Sequence, residues 1–261
     1  MKGIVKQIPN TLTCISLAFG FYAAILGISG DYYGAMIAIL IAAVFDFTDG
    51  LAARLLKAYS PMGKELDSLS DVISFGVAPG MMLFSFLDKL LYSLSWNDSW
   101  LCKLFLLSAF AIPVFSALRL AKFNIDTRQK TSFIGLPVPA HAILWSSLLV
   151  AFSPTVIMYK ESYSGLLFSR LFMDTPHDIL LIGLSVFAIA SSLLLISEIP
   201  MFSLKISSFS WKEGKLQYIL ILSAVLLIAF FGIIGISATI LLYILLSVIT
   251  SHKVRKQGYD S

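Results

Sequence analysis

Four aspartates carry the chemistry that can be read from this chain. Asp46, Asp49, Gly50 and Ala53 follow an i, i+3, i+4, i+7 spacing, which on a helix confines them to an arc of about 100°. Asp67 and Asp71 are four residues apart, and Gly63, Ser70 and Ser74 share their helical face. Between the two groups lies "AYSPMG", which reads as a turn. The residue before a proline is pushed out of helical geometry, so Ser60-Pro61 should end one helix and start the next. Two antiparallel helices then bring four carboxylates to one depth, with Asp49 and Asp67 nearest the turn.

Carboxylates crowded into a low dielectric must protonate, pair with cations or bind metal. Arg54 alone cannot neutralise four of them. Oxygen ligands with no Cys/His cluster point to a hard cation, Mg²⁺, Mn²⁺ or Ca²⁺, rather than zinc. Gly50, Ala53 and Gly63 leave a surface poor in side chains, where a planar or phosphorylated ligand can approach the backbone. Close helix packing through small residues would also explain Gly50 and Ala53. It does not explain four Asp on facing surfaces.

The elements that position these residues belong in a bilayer. Apolar residues make up 58% of the 261-residue chain and charged residues 13%, against about 25% charged in an average soluble protein. Mean hydropathy is +0.88. An ordinary soluble enzyme, a disordered chain and a disulfide scaffold are excluded, the last because Cys14 and Cys102 are the only cysteines. The fold class is an all-α integral membrane protein, a bundle of about eight transmembrane helices with its active site at the cytoplasmic side. The charge-free windows 32–45 and 72–87 are too short to span ~30 Å of hydrocarbon unless they carry the aspartates into the membrane boundary. Intramembrane carboxylates are costly and by default functional. The window 216–252 is nearly twice the required length, and Gly232 and Gly235 at its middle suggest two helices with a tight reversal. With the N-terminus inside, the cytoplasmic segments hold Lys2 and Lys6; Arg54, Lys57 and Lys64; Arg119, Lys122, Arg128 and Lys130; Lys205, Lys212 and Lys215; and Lys253, Arg255 and Lys256. Only Lys89, Lys103, Lys160 and Arg170 fall outside. The positive-inside rule favours that arrangement over seven spans. No internal repeat or soluble domain is evident, so residues 1–261 read as one membrane domain.

The run Asp46-x2-Asp49-Gly50-x2-Ala53-Arg54-x8-Gly63-x3-Asp67-x3-Asp71, residues 46–71, resembles the signature of the CDP-alcohol phosphatidyltransferases, with every position filled. "IPNTLT", "GKELDSLSDVISFGVAPG", "RLAKFN" and "FIGLPVPA" are similar to the bacterial phosphatidylserine synthase branch of that family, over roughly residues 4–145. Two positions depart from it: Ser16 and His141 each stand where Asn is usual. The resemblance implies transfer of a phosphatidyl group from CDP-diacylglycerol to L-serine with release of CMP. It implies two divalent cations, Mg²⁺ or Mn²⁺, with Ca²⁺ as a substitute. Asp46, Asp49 and Asp67 are then metal ligands. Asp71, near or on one metal, is the general base. Gly50, Ala53, Arg54 and Gly63 form the CDP surface. Ser60 and Lys64 are candidates for phosphate contact, or simply turn residues. Arg119 and Asn124 fall at the acceptor site, where an arginine fork suits a serine carboxylate; Lys122, Arg128 and Lys130 fit anionic-lipid contact as well. "GLPVPA" either shapes the start of a helix or lines a headgroup pocket. His177 reads as a loop residue, and Trp145 as an interface or packing residue. A homodimer in the bacterial inner membrane, with both termini cytoplasmic and no nucleic-acid partner, completes the expectation. Two alternatives stay open: another acceptor, such as glycerol 3-phosphate or inositol phosphate, and a cation-binding transporter. The transporter fits less well, because the charge is confined to two helix ends near one face.

The charge pattern yields a topology test. Lys253, Arg255 and Lys256 should hold the C-terminus inside. An alkaline phosphatase fused there should be inactive in cells, and an active periplasmic fusion would overturn the eight-span count.

Overall fold

The computed structural model describes residues 7–96, 99–126, 133–153, 175–201 and 211–257. Among these, helices α1 (Ile8–Ser29) and α2 (Tyr32–Leu55) form an antiparallel pair. Gly30 reverses the chain between them at φ 87°, and Asp31 caps α2 by accepting from the Gly34 N–H at 2.9 Å. One continuous helical rod follows, made of α3 (Pro61–Asp71), a π-helical turn (Val72–Val77) and α4 (Ala78–Ser93). Helix α5 (Trp100–Leu107) runs through a single 3₁₀ turn (Ser108–Phe110) into α6 (Ala111–Ile125). Then come α7 (Val138–Phe152), α8 (His177–Ile196), α9 (Trp211–Phe231) and α10 (Ile233–Gln257). Two-residue strands β1 (Phe133–Ile134) and β2 (Pro200–Met201) pair antiparallel beside them.

Among the described residues, six helices are long and apolar enough to cross a membrane: Ile8–Ser29, Tyr32–Leu55, Pro61–Ser93, Cys102–Ile125, His177–Ile196 and Ile233–Thr250. Val138–Phe152 and Lys215–Phe231 are shorter apolar helices. The chain is therefore a mostly helical, multi-pass membrane protein. The 216–252 window does divide, at Gly232 with φ 61°, into α9 and α10.

Several local expectations change. The first carboxylate helix ends before Ser60-Pro61. Its last turn closes at Leu55, with the Ala58 N–H donating to Ala53 O at 2.9 Å and the Lys57 N–H to Arg54 O at 3.3 Å. That is the pairing of a Schellman motif, with Lys57 at φ 50° where glycine is usual. Ser60 instead caps α3, accepting from the Gly63 N–H at 2.9 Å, and Pro61 occupies the first turn. His177 is no loop residue: it opens α8, its Nδ1 2.8 Å from Ser93 Oγ. "GLPVPA" shapes a helix start. Pro137 precedes α7, Pro139 lies in its first turn, and Leu136 is fully buried and bonded to Leu194 O. Of the two readings of Trp145, packing holds: it is fully buried against Phe187. Arg128, Lys130 and residues 154–174 lie outside the described residues.

Helix α1 packs along the rod, and small residues set the approach. A Cβ on Gly20 would overlap the Ser74 side chain and backbone, and one on Gly27 would meet Met82. On the other side of the rod, Gly76 faces Ser116 and Pro113 of α6, and Gly80 faces Pro113 and Ala109 of the 3₁₀ turn before it. Without these glycines the backbones could not come so close.

Gly20→Ala should therefore destabilise the bundle by about 1–3 kcal/mol, as overpacking of a close contact does. Gly183 has no atom within 4 Å of an added Cβ. Gly183→Ala should be neutral, and thermal midpoints of both variants in one detergent check the contrast.

Candidate functional site

The carboxylates converge where α2, α3 and the start of α1 meet. One oxygen from each of Asp46, Asp49 and Asp67 lies within 4.8 Å of the others. Asp71 follows one turn deeper and interacts with Asp46. Asp71 Oδ1 is buried and has no hydrogen-bond partner among the described residues. Hard divalent cations bind oxygens at ~2.0–2.6 Å, so two ligands facing each other across one ion sit roughly 4–5 Å apart. The donor set, its spacing and the orphaned Asp71 oxygen fit such an ion.

Helix α1 holds both carboxylate helices, through a pattern that repeats along its length. Thr13 Oγ1 donates to Asp49 Oδ2 on α2, while Thr13 O accepts from Ser70 Oγ on α3 at 3.3 Å. One turn on, Ser16 Oγ donates to Ala42 O of α2 at 2.9 Å, and Ser16 O accepts from Ser74 Oγ at 3.2 Å. Thr13, Ser16, Asp49, Ser70 and Ser74 are all buried. Ser70 and Ser74 thus share a helix with Asp67 and Asp71 but face α1.

A cavity of about 190 Å³ opens beside the cluster. Pro9, Asn10 and Thr13 form one wall, and Asp49, Gly50 and Ala53 a second. Ala58, Tyr59 and Ser60 of the turn, with Gly63, Lys64 and Asp67 of α3, close the rest. A Cβ on Gly50 would meet nothing within 4 Å, whereas one on Gly63 would crowd Asn10 Oδ1 at 2.9 Å. The glycine face therefore opens onto empty space with acid groups at its edge, a shape suited to a phosphorylated, planar ligand.

The other expected site residues divide. Arg54 is exposed and donates Nε to Gly50 O at 3.0 Å; among the described residues it forms no ion pair with the aspartates. Asn124 meets the signature helix directly, with Nδ2 donating to Ser68 Oγ at 2.9 Å and Asn124 O accepting from Lys64 Nζ at 3.2 Å. Asn124 opposite Ser68, Ser116 opposite Gly76 and Pro113 opposite Gly80 keep α6 in antiparallel register with the rod. That register places Arg119 within one helical turn of the depth of Asp71. Arg119 is buried, with its guanidinium 5.5 Å from the Phe123 ring centroid. Lys122 pairs with Glu198 at 3.4 Å. His141 lies in the core between α7 and α8, its Nε2 3.0 Å from Ser191 Oγ and 3.1 Å from Trp145 Nε1. Sequence reasoning missed Pro9, Asn10, Thr13, Ala58 and Tyr59 as site residues. "IPNTLT" was the available signal, but nothing in the spacing shows which side of α1 faces the aspartates.

A family model for CDP-alcohol phosphatidyltransferase matches residues 6–173, well over half of the chain. A CDP-diacylglycerol–serine O-phosphatidyltransferase of Bacillus subtilis is 34% identical over 152 residues, which cover 57% of this chain and 80% of that protein. The protein of the same name from Mycobacterium bovis is 35% identical over 157 residues, covering 57% of this chain and 51% of that protein. An archaetidylserine synthase of Methanothermobacter thermautotrophicus is 34% identical over 142 residues, covering 54% and 56%. The match thus spans most of the Bacillus relative but only about half the length of the other two. This chain belongs to the CDP-alcohol phosphatidyltransferase family.

Proposed function

We propose that this chain transfers the phosphatidyl group of CDP-diacylglycerol to L-serine, giving phosphatidylserine and CMP. The observation that carries the reading is the convergence of Asp46, Asp49 and Asp67 beside an open glycine-lined cavity, within the region the family model covers. Serine is favoured as acceptor because bacterial and archaeal relatives share it in their names while differing in the lipid.

In this reading the serine hydroxyl oxygen attacks the phosphatidyl phosphorus. The new P–O bond forms as the bond to the CMP oxygen breaks, and CMP leaves with that electron pair. Asp71 accepts the hydroxyl proton, using the carboxylate whose Oδ1 has no other partner. Asp46, Asp49 and Asp67, with Asp71 beside them, would hold two divalent cations, Mg²⁺ or Mn²⁺. Bound there, such ions supply neutralisation of the pyrophosphate and polarisation of the phosphorus. Gly50, Ala53 and Gly63 let the CDP moiety approach the backbone, with Arg54, Ser60 and Lys64 at the rim. Arg119, buried at the depth of Asp71, forks the serine carboxylate, and Asn124 fixes that helix against α3. The six long and two short apolar helices support eight spans. The active site and both termini then face the cytoplasm of a bacterial inner membrane, and the protein is a homodimer.

Purified membranes given CDP-diacylglycerol, Mg²⁺ or Mn²⁺ and one radiolabelled acceptor at a time test the activity. Label should enter lipid from serine; entry only from glycerol 3-phosphate or inositol phosphate would overturn the acceptor while keeping the class. Variants separate the carboxylate roles. Asp49→Asn should lose metal-dependent CDP binding and transfer together. Asp71→Asn should lower transfer by about 10²–10⁴-fold while calorimetric CDP binding largely survives. If both variants lose CDP binding equally, Asp71 is chiefly a ligand.

The cavity makes a separate prediction. Gly50→Leu projects into open space, so the thermal midpoint should hold. CDP binding should weaken by roughly tenfold or more, equivalent to ~1.4 kcal/mol. Unchanged CDP affinity would remove Gly50 from the nucleotide surface.

A further inference from the structure

Thr13 occupies a position that the aspartate signature does not include. Its side chain is buried, and its Oγ1 has two acceptors in reach, Asp49 Oδ2 and, at 3.1 Å, Pro9 O of its own helix. A hydroxyl has one proton to give. The Pro9 carbonyl lies within a continuous helix, where a main-chain N–H can serve it. An ionised carboxylate is the stronger acceptor, by roughly a factor of two. The proton therefore goes to Asp49 whenever Asp49 is charged. Thr13 is also tied by its backbone, because its carbonyl accepts from Ser70 on the helix that carries Asp67 and Asp71. A single residue thus spans from a carboxylate on α2 to the Ser70 hydroxyl of α3. Moving one carboxylate helix against the other would break one of its two bonds.

We infer that Thr13 is a positioning residue for Asp49. It occupies one carboxylate oxygen, fixes the rotation of the carboxylate and leaves the second oxygen to the cluster with Asp46 and Asp67. The inference rests on the reading of that cluster as a divalent-cation site. Ser16 makes the comparable bond to a main-chain carbonyl, Ala42 O, and so orients no acid. The two residues are alike in burial and in bridging α2 to the rod, and their hydroxyls differ in what they hold. That difference separates positioning from helix packing.

The test is calorimetric titration of Mn²⁺ into the purified 261-residue chain in detergent, beside its metal-free thermal midpoint. Thr13→Val keeps the shape and removes the donor. It should weaken Mn²⁺ binding by on the order of 10–100-fold, the usual effect of losing a group that orients a ligand. Thr13→Ser keeps the hydroxyl and should restore affinity. Ser16→Ala should lower the metal-free midpoint while leaving Mn²⁺ affinity in place. Wild-type Mn²⁺ affinity in Thr13→Val overturns the inference, and so does an equal loss in Thr13→Ser and Thr13→Val. Should Thr13→Val not fold, Thr13→Ser decides alone: retained affinity supports the hydroxyl's role, and lost affinity overturns it. Asp49→Asn is the control on the underlying reading. If it binds Mn²⁺ like the wild type, the cation site itself is wrong, a different result from failure of the Thr13 arm alone.

Discussion

Mutual repulsion among carboxylates is the constraint around which the rest of the structure is arranged. Oxygens of Asp46, Asp49 and Asp67 lie no more than 4.8 Å apart. At an effective dielectric near 20, two unit charges at that distance repel by about 3.5 kcal/mol. Three ionised groups therefore oppose the fold by roughly 10 kcal/mol, comparable with the whole stability of many domains. The hydroxyl bonds that bind α1 to the two carboxylate helices are worth only about 0.5–1.5 kcal/mol each. They fix geometry but cannot offset three charges. Protons or a bound cation must do so, and a site shaped by hydrogen bonds but unstable when fully charged is one that draws in cations.

The helical rod shows how the chain keeps the acids in place while continuing through the membrane. Pro79 has no N–H to give to the preceding turn. The chain meets that defect by loosening into a π turn, in which the Ala78 N–H reaches back five residues to Ile73 O. The wider turn begins immediately after Asp71 and shifts the phase of everything beyond it. Ser70 and Ser74 can then face α1 while Gly76 and Gly80 face α6. The same rod binds α1 by hydroxyls on one side and α6 by bare glycine backbone on the other. The depth of Arg119 relative to Asp71 follows from that second contact.

The acids were legible in the sequence because helical spacing fixes a face and burying a carboxylate demands a reason. Asp46, Asp49 and Asp67 needed no tertiary information beyond a turn between two helices. The break was misplaced because a Schellman turn with Lys57 at positive φ carries no glycine to announce it. Thr13 and Asn10 were not legible as site residues, because the rotation of α1 depends on packing at Gly20 and Gly27 far from the acids. His177 looked like a loop residue because the charge-free window began after it. Ser93 reaches it across the fold, a contact that spacing cannot reveal. Arg54 was expected on the CDP surface; among the described residues it reaches its own helix at Gly50 O, since its side chain leaves the helix on the exposed side.

The glycines settle a question that composition leaves open. Small residues in a membrane helix usually mean close packing, and Gly20, Gly27, Gly76 and Gly80 obey that rule, each with a neighbour where a Cβ would stand. Gly50 does not, because nothing lies within 4 Å of the position. A glycine inside a helix costs about 1 kcal/mol relative to alanine, and here no helix contact offsets the cost. Gly63 is intermediate, crowded by Asn10 and by the Ser60 cap but still lining the same cavity. Packing therefore accounts for Gly20, Gly27, Gly76 and Gly80 and fails at Gly50 beside Asp49, as it does at Gly183 on α8. The space left there is bounded by acids on one side and by the Ser60–Lys64 turn on the other. A ligand that is flat at one end and doubly phosphorylated at the other meets both boundaries.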